Sequence, residues 1–163
     1  MLFPCIMCSA TFKGDFKSLE YCLQEGADVS AADYDMRTPL HIAASEGNFE
    51  MTKFLLEHGA LIHKKDRHND PPLISSIYSG NLDVINLLLQ VGAHLPLTPA
   101  QIGERLTSAA KAGNENLIKS YVAAGADINE VDLIGDNCIE AAVAAGQEHL
   151  TDVLVKMGAV QTL

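Results

Sequence analysis

Glycine recurs along this chain with a period that few folds accommodate. Five Gly-Ala pairs lie 33 residues apart, and a second glycine series repeats with the same spacing. The two series begin at Gly26 and at Gly14 and continue through the chain to Gly158 and Gly146. A fixed period of roughly 20–50 residues is typical of proteins built from stacked repeats. The 163 residues are therefore predicted to fold as five similar units.

Polar residues follow the second glycine series and predict helix starts. They are Asp15, Asn48, Asn81, Asn114 and Gln147. Asp and Asn side chains accept hydrogen bonds from the free N–H groups of a first helical turn, and Gln does so less well. The glycine of each Gly-Ala pair follows an apolar helical pattern. We expect it to end a helix in the left-handed conformation that glycine adopts most easily.

Residues 37–48, R-T-P-L-H-I-A-A-S-E-G-N, form the most regular of the five units. Thr38 is predicted to cap a short helix over about residues 38–46, and Pro39 suits its first turn because no N–H is needed there. A second helix is predicted over about residues 48–58, where apolar residues recur at helical spacing. Helices this short are not stable alone, so the units must stack.

The period and three motifs resemble the ankyrin-repeat family. The motifs are T-P-L-H-I-A-A at residues 38–44, G-A-D-V at 26–29 and G-A-D-I-N at 125–129. The resemblance covers essentially the whole chain and implies an all-α solenoid, in which each repeat is a turn followed by two antiparallel helices. It implies one domain over residues 1–163, with repeats at about 1–32, 33–65, 66–98, 99–131 and 132–163. It also implies that His41 ties its turn to the neighbouring one by a hydrogen bond.

The first two repeats differ from the family pattern in particular places. The first repeat has only a helix over about residues 3–12 and no preceding turn. This indicates either a capping half-repeat or, as we favour, a fragment of a longer chain. Its apolar residues Leu2, Phe3 and Ile6 then form an edge that needs a cover. In the second repeat Met36 stands where the family has glycine, so a strained or altered turn is expected.

The fourth repeat carries L-T-P-A-Q-I-G-E-R-L where a turn is expected. Thr98 and Gln101 have the spacing of a capping box, and Pro99 suits a first helical position. We therefore expect a helix from near Pro99 to about Lys111, no protruding turn between repeats three and four, and a local bend near Pro96.

Composition excludes several kinds of partner. The net charge is −10, and binding to nucleic acid or to an anionic membrane needs clustered Lys and Arg instead. No stretch of 18 apolar residues could span a membrane. Four cysteines in a chain of this length do not form a disulfide framework, so a reducing cytoplasmic or nuclear setting is expected. A basic protein partner remains compatible with the charge.

Residues with catalytic or metal-binding potential do not form a recognisable site. Cys5-x-x-Cys8 lacks the second pair that a zinc site needs. His41 belongs to the structural motif and has no nucleophile placed beside it. The other histidines fall at different repeat phases and are not expected to converge: His58, His63, His68, His94 and His149. We find no phosphate-binding, hydrolase or metalloprotease motif. No catalytic residue, cofactor or metal is predicted.

The resemblance implies a protein partner bound in a concave groove of turn tips and inner helix faces. The corresponding residues are Tyr34, Asp35, Arg37, Ser45 and Glu46 in repeat two, Arg67, His68, Asp70, Tyr78 and Ser79 in repeat three, and Leu133, Ile134 and Asp136 in repeat five. Tyrosine and arginine are enriched at binding hot spots. Apolar residues such as Leu133 and Ile134 are unusual at a turn tip.

The truncated first repeat, the altered fourth and the closing fifth resemble the C-terminal ankyrin region of large animal cytosolic L-asparaginases. That resemblance implies an accessory module of a larger hydrolase, packed against a catalytic domain through the N-terminal edge. The chain has no T-G-G-T-type nucleophile motif, so it would itself be inactive. The alternative is a stand-alone acidic ankyrin inhibitor of a kinase or transcription factor.

Overall fold

Ten helices account for the regular structure in a computed structural model, which describes residues 3–161. They are α1 Phe3–Lys13, α2 Phe16–Gln24, α3 Pro39–Ser45, α4 Phe49–Glu57, α5 Pro72–Ser79, α6 Leu82–Gln90, α7 Pro99–Lys111, α8 Glu115–Ala123, α9 Cys138–Ala144 and α10 Glu148–Lys156. No strand occurs in the described part of the chain, and no helix there is long and apolar enough to cross a membrane. The predicted all-α repeat fold is confirmed.

The chain divides into two compact units, Met1–His94 and Leu95–Leu163. In the first unit α3 packs between α1 and α5, and each of these three helices packs on the helix that follows it. In the second unit α7 packs on α9, α8 on α7 and α10 on α9. Both units therefore have the nearest-neighbour packing of a repeat solenoid. The boundaries of a single domain over residues 1–163 stay a prediction.

Helix ends follow the two glycine series. The side chains of Asp15, Asn48, Asn81 and Asn114 accept hydrogen bonds from the first turns of α2, α4, α6 and α8, whereas Gln147 makes no such bond to α10. All five glycines of the Gly-Ala series have φ between 82° and 98°. The predicted caps and left-handed helix ends are confirmed.

Helix α7 begins at Pro99, as the capping-box pattern predicts. The Thr98 side chain accepts from the backbone N–H of Gln101, and the Gln101 side chain accepts from that of Thr98. Gly103 lies against the loop before repeat five, where a Cβ would come within 2.0 Å of the carbonyl oxygen of Val131. Only glycine lets the early turns of α7 approach this backbone so closely.

The cores are aliphatic and polar groups inside them are paired. The first unit buries leucines such as Leu19, Leu55 and Leu88, and the second buries Tyr121, whose hydroxyl accepts from Arg105 Nη1 at 3.1 Å. No buried side-chain nitrogen or oxygen among residues 3–161 lacks a hydrogen-bond partner. Such a framework holds surface loops in fixed positions.

Candidate functional site

Three loops share one conformation and present the turn tips; we term them fingers 2, 3 and 5, at residues 33–37, 66–70 and 132–136. Each begins with an aspartate whose Oδ1 accepts two backbone N–H groups of its own loop. In finger 2 these are the N–H groups of Asp35 and Arg37, both at 2.9 Å from Asp33. The first and fifth residues are also joined through the backbone in all three fingers. The tips are therefore internally braced.

The fourth residue of each finger has a left-handed backbone. Its φ is 60° at Met36, 66° at Asn69 and 92° at Gly135. Asparagine and glycine tolerate this region, but an unbranched side chain such as that of methionine is disfavoured there. The predicted strain in finger 2 is confirmed, and the rest of the finger must hold Met36 in place.

Fingers 2 and 3 are joined to each other. The Arg67 backbone N–H donates to the carbonyl of Asp35 at 3.1 Å, and its guanidinium Nη1 lies 2.6 Å from Asp35 Oδ1. The Arg37 guanidinium donates to Asp33 Oδ2 at 3.1 Å and lies 3.8 Å from Asp35 Oδ2. The charges of these tips are thus paired within the unit. Tyr34, 87% exposed, projects between them as the most exposed aromatic side chain described.

A buried hydrogen-bonded row lies behind the fingers. His41 Nε2 lies 3.0 Å from the carbonyl oxygen of Asp70, which confirms the link implied by the family resemblance. One repeat earlier, Cys8 Sγ donates to the carbonyl of Arg37 at 3.6 Å. Burial lowers the pKa of His41, although the Asp70 carbonyl acts in the opposite direction, and burial raises the pKa of the Cys8 thiol to about 12. Both groups are neutral links between repeats and have no reactive character.

The inner helix faces supply the other predicted residues of the first unit. Ser45, Glu46, Tyr78 and Ser79 are exposed at the ends of α3 and α5. The two serine hydroxyls donate to carbonyls of their own helices, Ile42 at 3.0 Å and Ser76 at 2.8 Å. These hydroxyls retain acceptor capacity only, so Tyr78, 58% exposed, offers the larger contact surface.

Phe12 was not selected from the sequence, although it stands 33 residues before Ser45. Its ring is 63% exposed on α1. Together with Tyr34 and Arg37 it lines an open groove of about 370 Å³ between α1 and finger 2. The repeat register was the available signal, but the first repeat lacks the turn motif by which the other sites were identified. The structure thus joins one unpredicted aromatic residue to two predicted ones.

The remaining predicted residues divide by exposure. Arg67 and His68 are exposed on finger 3, whereas Asp70 and Asp136 are half-buried, and their backbones hold the turns. On finger 5, Leu133 and Ile134 are 78% and 79% exposed.

The carboxylate at the base of finger 5 stays ionised. Burial alone would raise the pKa of Asp132, but the N–H groups of Asp136 and Ile134 lower it below its usual value. A charged Asp132 therefore holds the apolar tip in position.

The expectation that the histidines lie apart is wrong for one pair, because the rings of His63 and His94 have centroids 5.0 Å apart. Among residues 3–161 no group of three or more His, Cys, Asp or Glu side chains is arranged to hold a metal ion. All four cysteines are free thiols, and Cys5 alone of them is exposed.

Comparison with known proteins identifies the repeats. A family model described as ankyrin repeats (3 copies) matches residues 6–98, and one described as ankyrin repeats (many copies) matches residues 106–155. Two potassium channels of Arabidopsis thaliana are similar over short segments: SKOR is 50% identical over 40 residues and GORK 53% over 36. These segments are 24% and 22% of this chain but only 5% and 4% of the channels. The chain belongs to the ankyrin-repeat family, whose repeats mediate protein–protein interactions.

Proposed function

We propose that the chain binds a partner protein through the fingers and inner helix faces of its first unit. The observation that carries the proposal is the groove lined by Phe12, Tyr34 and Arg37, with Tyr78 exposed at the equivalent place on α5. Aromatic and arginine side chains dominate the energetics of protein interfaces. Finger residues Asp35, Arg67, His68 and Asp70, and helix residues Ser45, Glu46 and Ser79, would form the polar surroundings.

The rigidity of the fingers supports this assignment. Because the charges of Asp35 and Arg67 already neutralise each other, a partner need not separate or order them. Braced loops lose little conformational entropy on binding. The apolar tip at Leu133 and Ile134, with Asp136 at its base, provides a separate contact on the second unit.

A photo-crosslinking experiment tests the location of the surface. A benzophenone amino acid would replace Tyr34 in one variant, Tyr78 in a second and Tyr21 in a third, the last being 61% exposed on α2. We expect the same cellular protein to be crosslinked from Tyr34 and Tyr78 but not from Tyr21. Equal capture from Tyr21, or capture from Tyr21 alone, would contradict the proposal.

We further propose that the chain is the accessory, non-catalytic region of a larger cytoplasmic hydrolase such as an L-asparaginase. The support is the sequence pattern of the first and fourth repeats, and neither potassium channel adds to it. In this arrangement a catalytic domain would cover the edge at Ile6, which is 44% exposed; Phe3 is half-buried, and Leu2 lies outside the described residues. An asparaginase domain encoded in frame upstream of Met1 would support this, and a stop codon or unrelated domain would remove it.

The alternative is a stand-alone acidic inhibitor of a kinase or transcription factor. It is favoured by the net charge of −10, which would attract a basic partner and disfavours nucleic acid and anionic membranes. Recovery of such a partner with the crosslinkers at Tyr34 and Tyr78 would select this alternative over the hydrolase.

A further inference from the structure

We propose that His63 and His94 form a binding site for a divalent transition-metal ion, with Zn²⁺ as the ion to be tested. The two rings lie in the first unit with centroids 5.0 Å apart and planes inclined by 52°. Neither imidazole has a hydrogen bond or ion pair within residues 3–161. Their nitrogens are therefore available, and imidazole nitrogen is a preferred ligand of zinc, copper and nickel.

The repeat architecture brings these two positions together. Loops after the second helix of neighbouring repeats meet with an offset of 31 residues. The Ser30 hydroxyl accepts from the Leu61 N–H at 2.8 Å, and the Asn129 side chain accepts from the Val160 N–H at 2.8 Å. The first histidine of the pair occupies the place of Ser30 and Asn129, and the second that of Leu61 and Val160. The backbone thus fixes the approach of the two rings.

The spacing of the rings suits a shared ion. Zinc–nitrogen bonds are about 2.0–2.1 Å long, so two imidazoles bound to one ion at a near-tetrahedral angle have centroids about 5 Å apart. The observed separation of 5.0 Å needs little movement of either loop. By contrast, two imidazoles with no shared ligand gain only a weak ring contact at this distance.

The surroundings leave the other coordination positions to solvent. Both histidines are exposed, and His63 lines an open groove of about 660 Å³ together with Leu61 and Val91. An ion can therefore reach the pair, with water completing its coordination. The nearby Lys64 ammonium donates to the Ser30 carbonyl at 2.8 Å, which directs it to that oxygen.

Zinc titration calorimetry on the whole chain tests this site. All proteins would carry Cys5→Ser, because Cys5 is an exposed thiol that could bind zinc independently. The background protein should bind one Zn²⁺ ion saturably. His63→Ala and His94→Ala should each weaken binding roughly tenfold or more, since each removes one of two protein ligands. His149→Ala, which alters an exposed histidine of the second unit, should leave the affinity unchanged.

A second measurement separates ligand loss from misfolding. Circular dichroism melting without metal should give each variant the same midpoint as the background protein, and Zn²⁺ should raise the midpoint only where both histidines remain. His63→Gln replaces alanine if that variant melts early. The proposal is overturned if Zn²⁺ does not bind saturably, or if binding survives loss of either histidine of the pair.

Discussion

His41 connects Thr38 to Asp70 across two neighbouring fingers. Its Nδ1 accepts from the Thr38 N–H at 3.1 Å, while its Nε2 lies 3.0 Å from the Asp70 carbonyl oxygen. One ring can make both bonds only when the proton is on Nε2 and the imidazole is neutral. The same histidine therefore starts helix α3, positions the base of finger 3 and favours one protonation state.

His41→Ala should destabilise the protein by about 2–3 kcal/mol. The substitution leaves the Thr38 N–H and the Asp70 carbonyl without their partner in a buried setting. Urea denaturation followed by circular dichroism would measure the loss. His68→Ala on the exposed tip of finger 3 is the matched control, expected within about 0.5 kcal/mol of the wild type. Equal losses for the two variants would contradict the structural role of His41.

Stability should fall as the pH drops below about 6.5, the ordinary pKa of histidine. Burial lowers the pKa of His41 in the folded state, so the unfolded chain takes up a proton first and is favoured as acid is added. The loss should continue until the pH reaches the lowered pKa. Thermal unfolding midpoints between pH 7.5 and 5.5 should decline less steeply for His41→Gln than for the wild type. Identical slopes would exclude His41 as the titrating group.

Gly103→Ala should destabilise the second unit by about 3 kcal/mol or more. The added Cβ would lie 2.0 Å from a backbone oxygen of Val131, so either α7 or the loop must shift. Chemical denaturation would measure the loss, with the exposed Ser108→Ala on the same helix as control. A loss no larger than that of the control would show that α7 does not approach the loop this closely.

Met36→Gly should stabilise the first unit by about 0.5–1 kcal/mol. Glycine removes the steric cost of a positive φ, and part of this gain is offset by the greater entropy of glycine in the unfolded chain. Met36→Ala should give no such gain, since alanine retains the Cβ. Thermal melts of the three proteins would distinguish relief of backbone strain from simple loss of the methionine side chain. A gain of equal size in both variants would contradict the strain.

Local sequence signals predicted most of the fold. The glycine series predicted the helix ends, and Thr98 with Gln101 predicted the start of α7, because caps depend on residues only a few positions apart. The role of Gly103 could not be predicted in the same way. It belongs to neither glycine series, and its constraint comes from backbone 28 residues further along the chain.

The candidate surface was predicted in part. Tyr34, Arg37 and Tyr78 followed from the family motif, whereas Phe12 lies in a repeat without that motif. The approach of His63 to His94 was missed because comparison of repeat phases relates residues 33 apart. Side chains of adjacent loops meet at an offset of 31 instead, which only the path of the backbone reveals.

The affinity of the crosslinked partner for two matched variants tests the account most directly. One variant carries Phe12→Ala, Tyr34→Ala and Tyr78→Ala, and the other carries Tyr21→Ala and Phe49→Ala at exposed positions on α2 and α4. Calorimetry should show at least about thirtyfold weaker binding for the first, equivalent to one hot spot of about 2 kcal/mol, and wild-type affinity for the second. Unchanged binding by the first variant, or a greater loss in the second, would contradict binding through the fingers and inner helix faces.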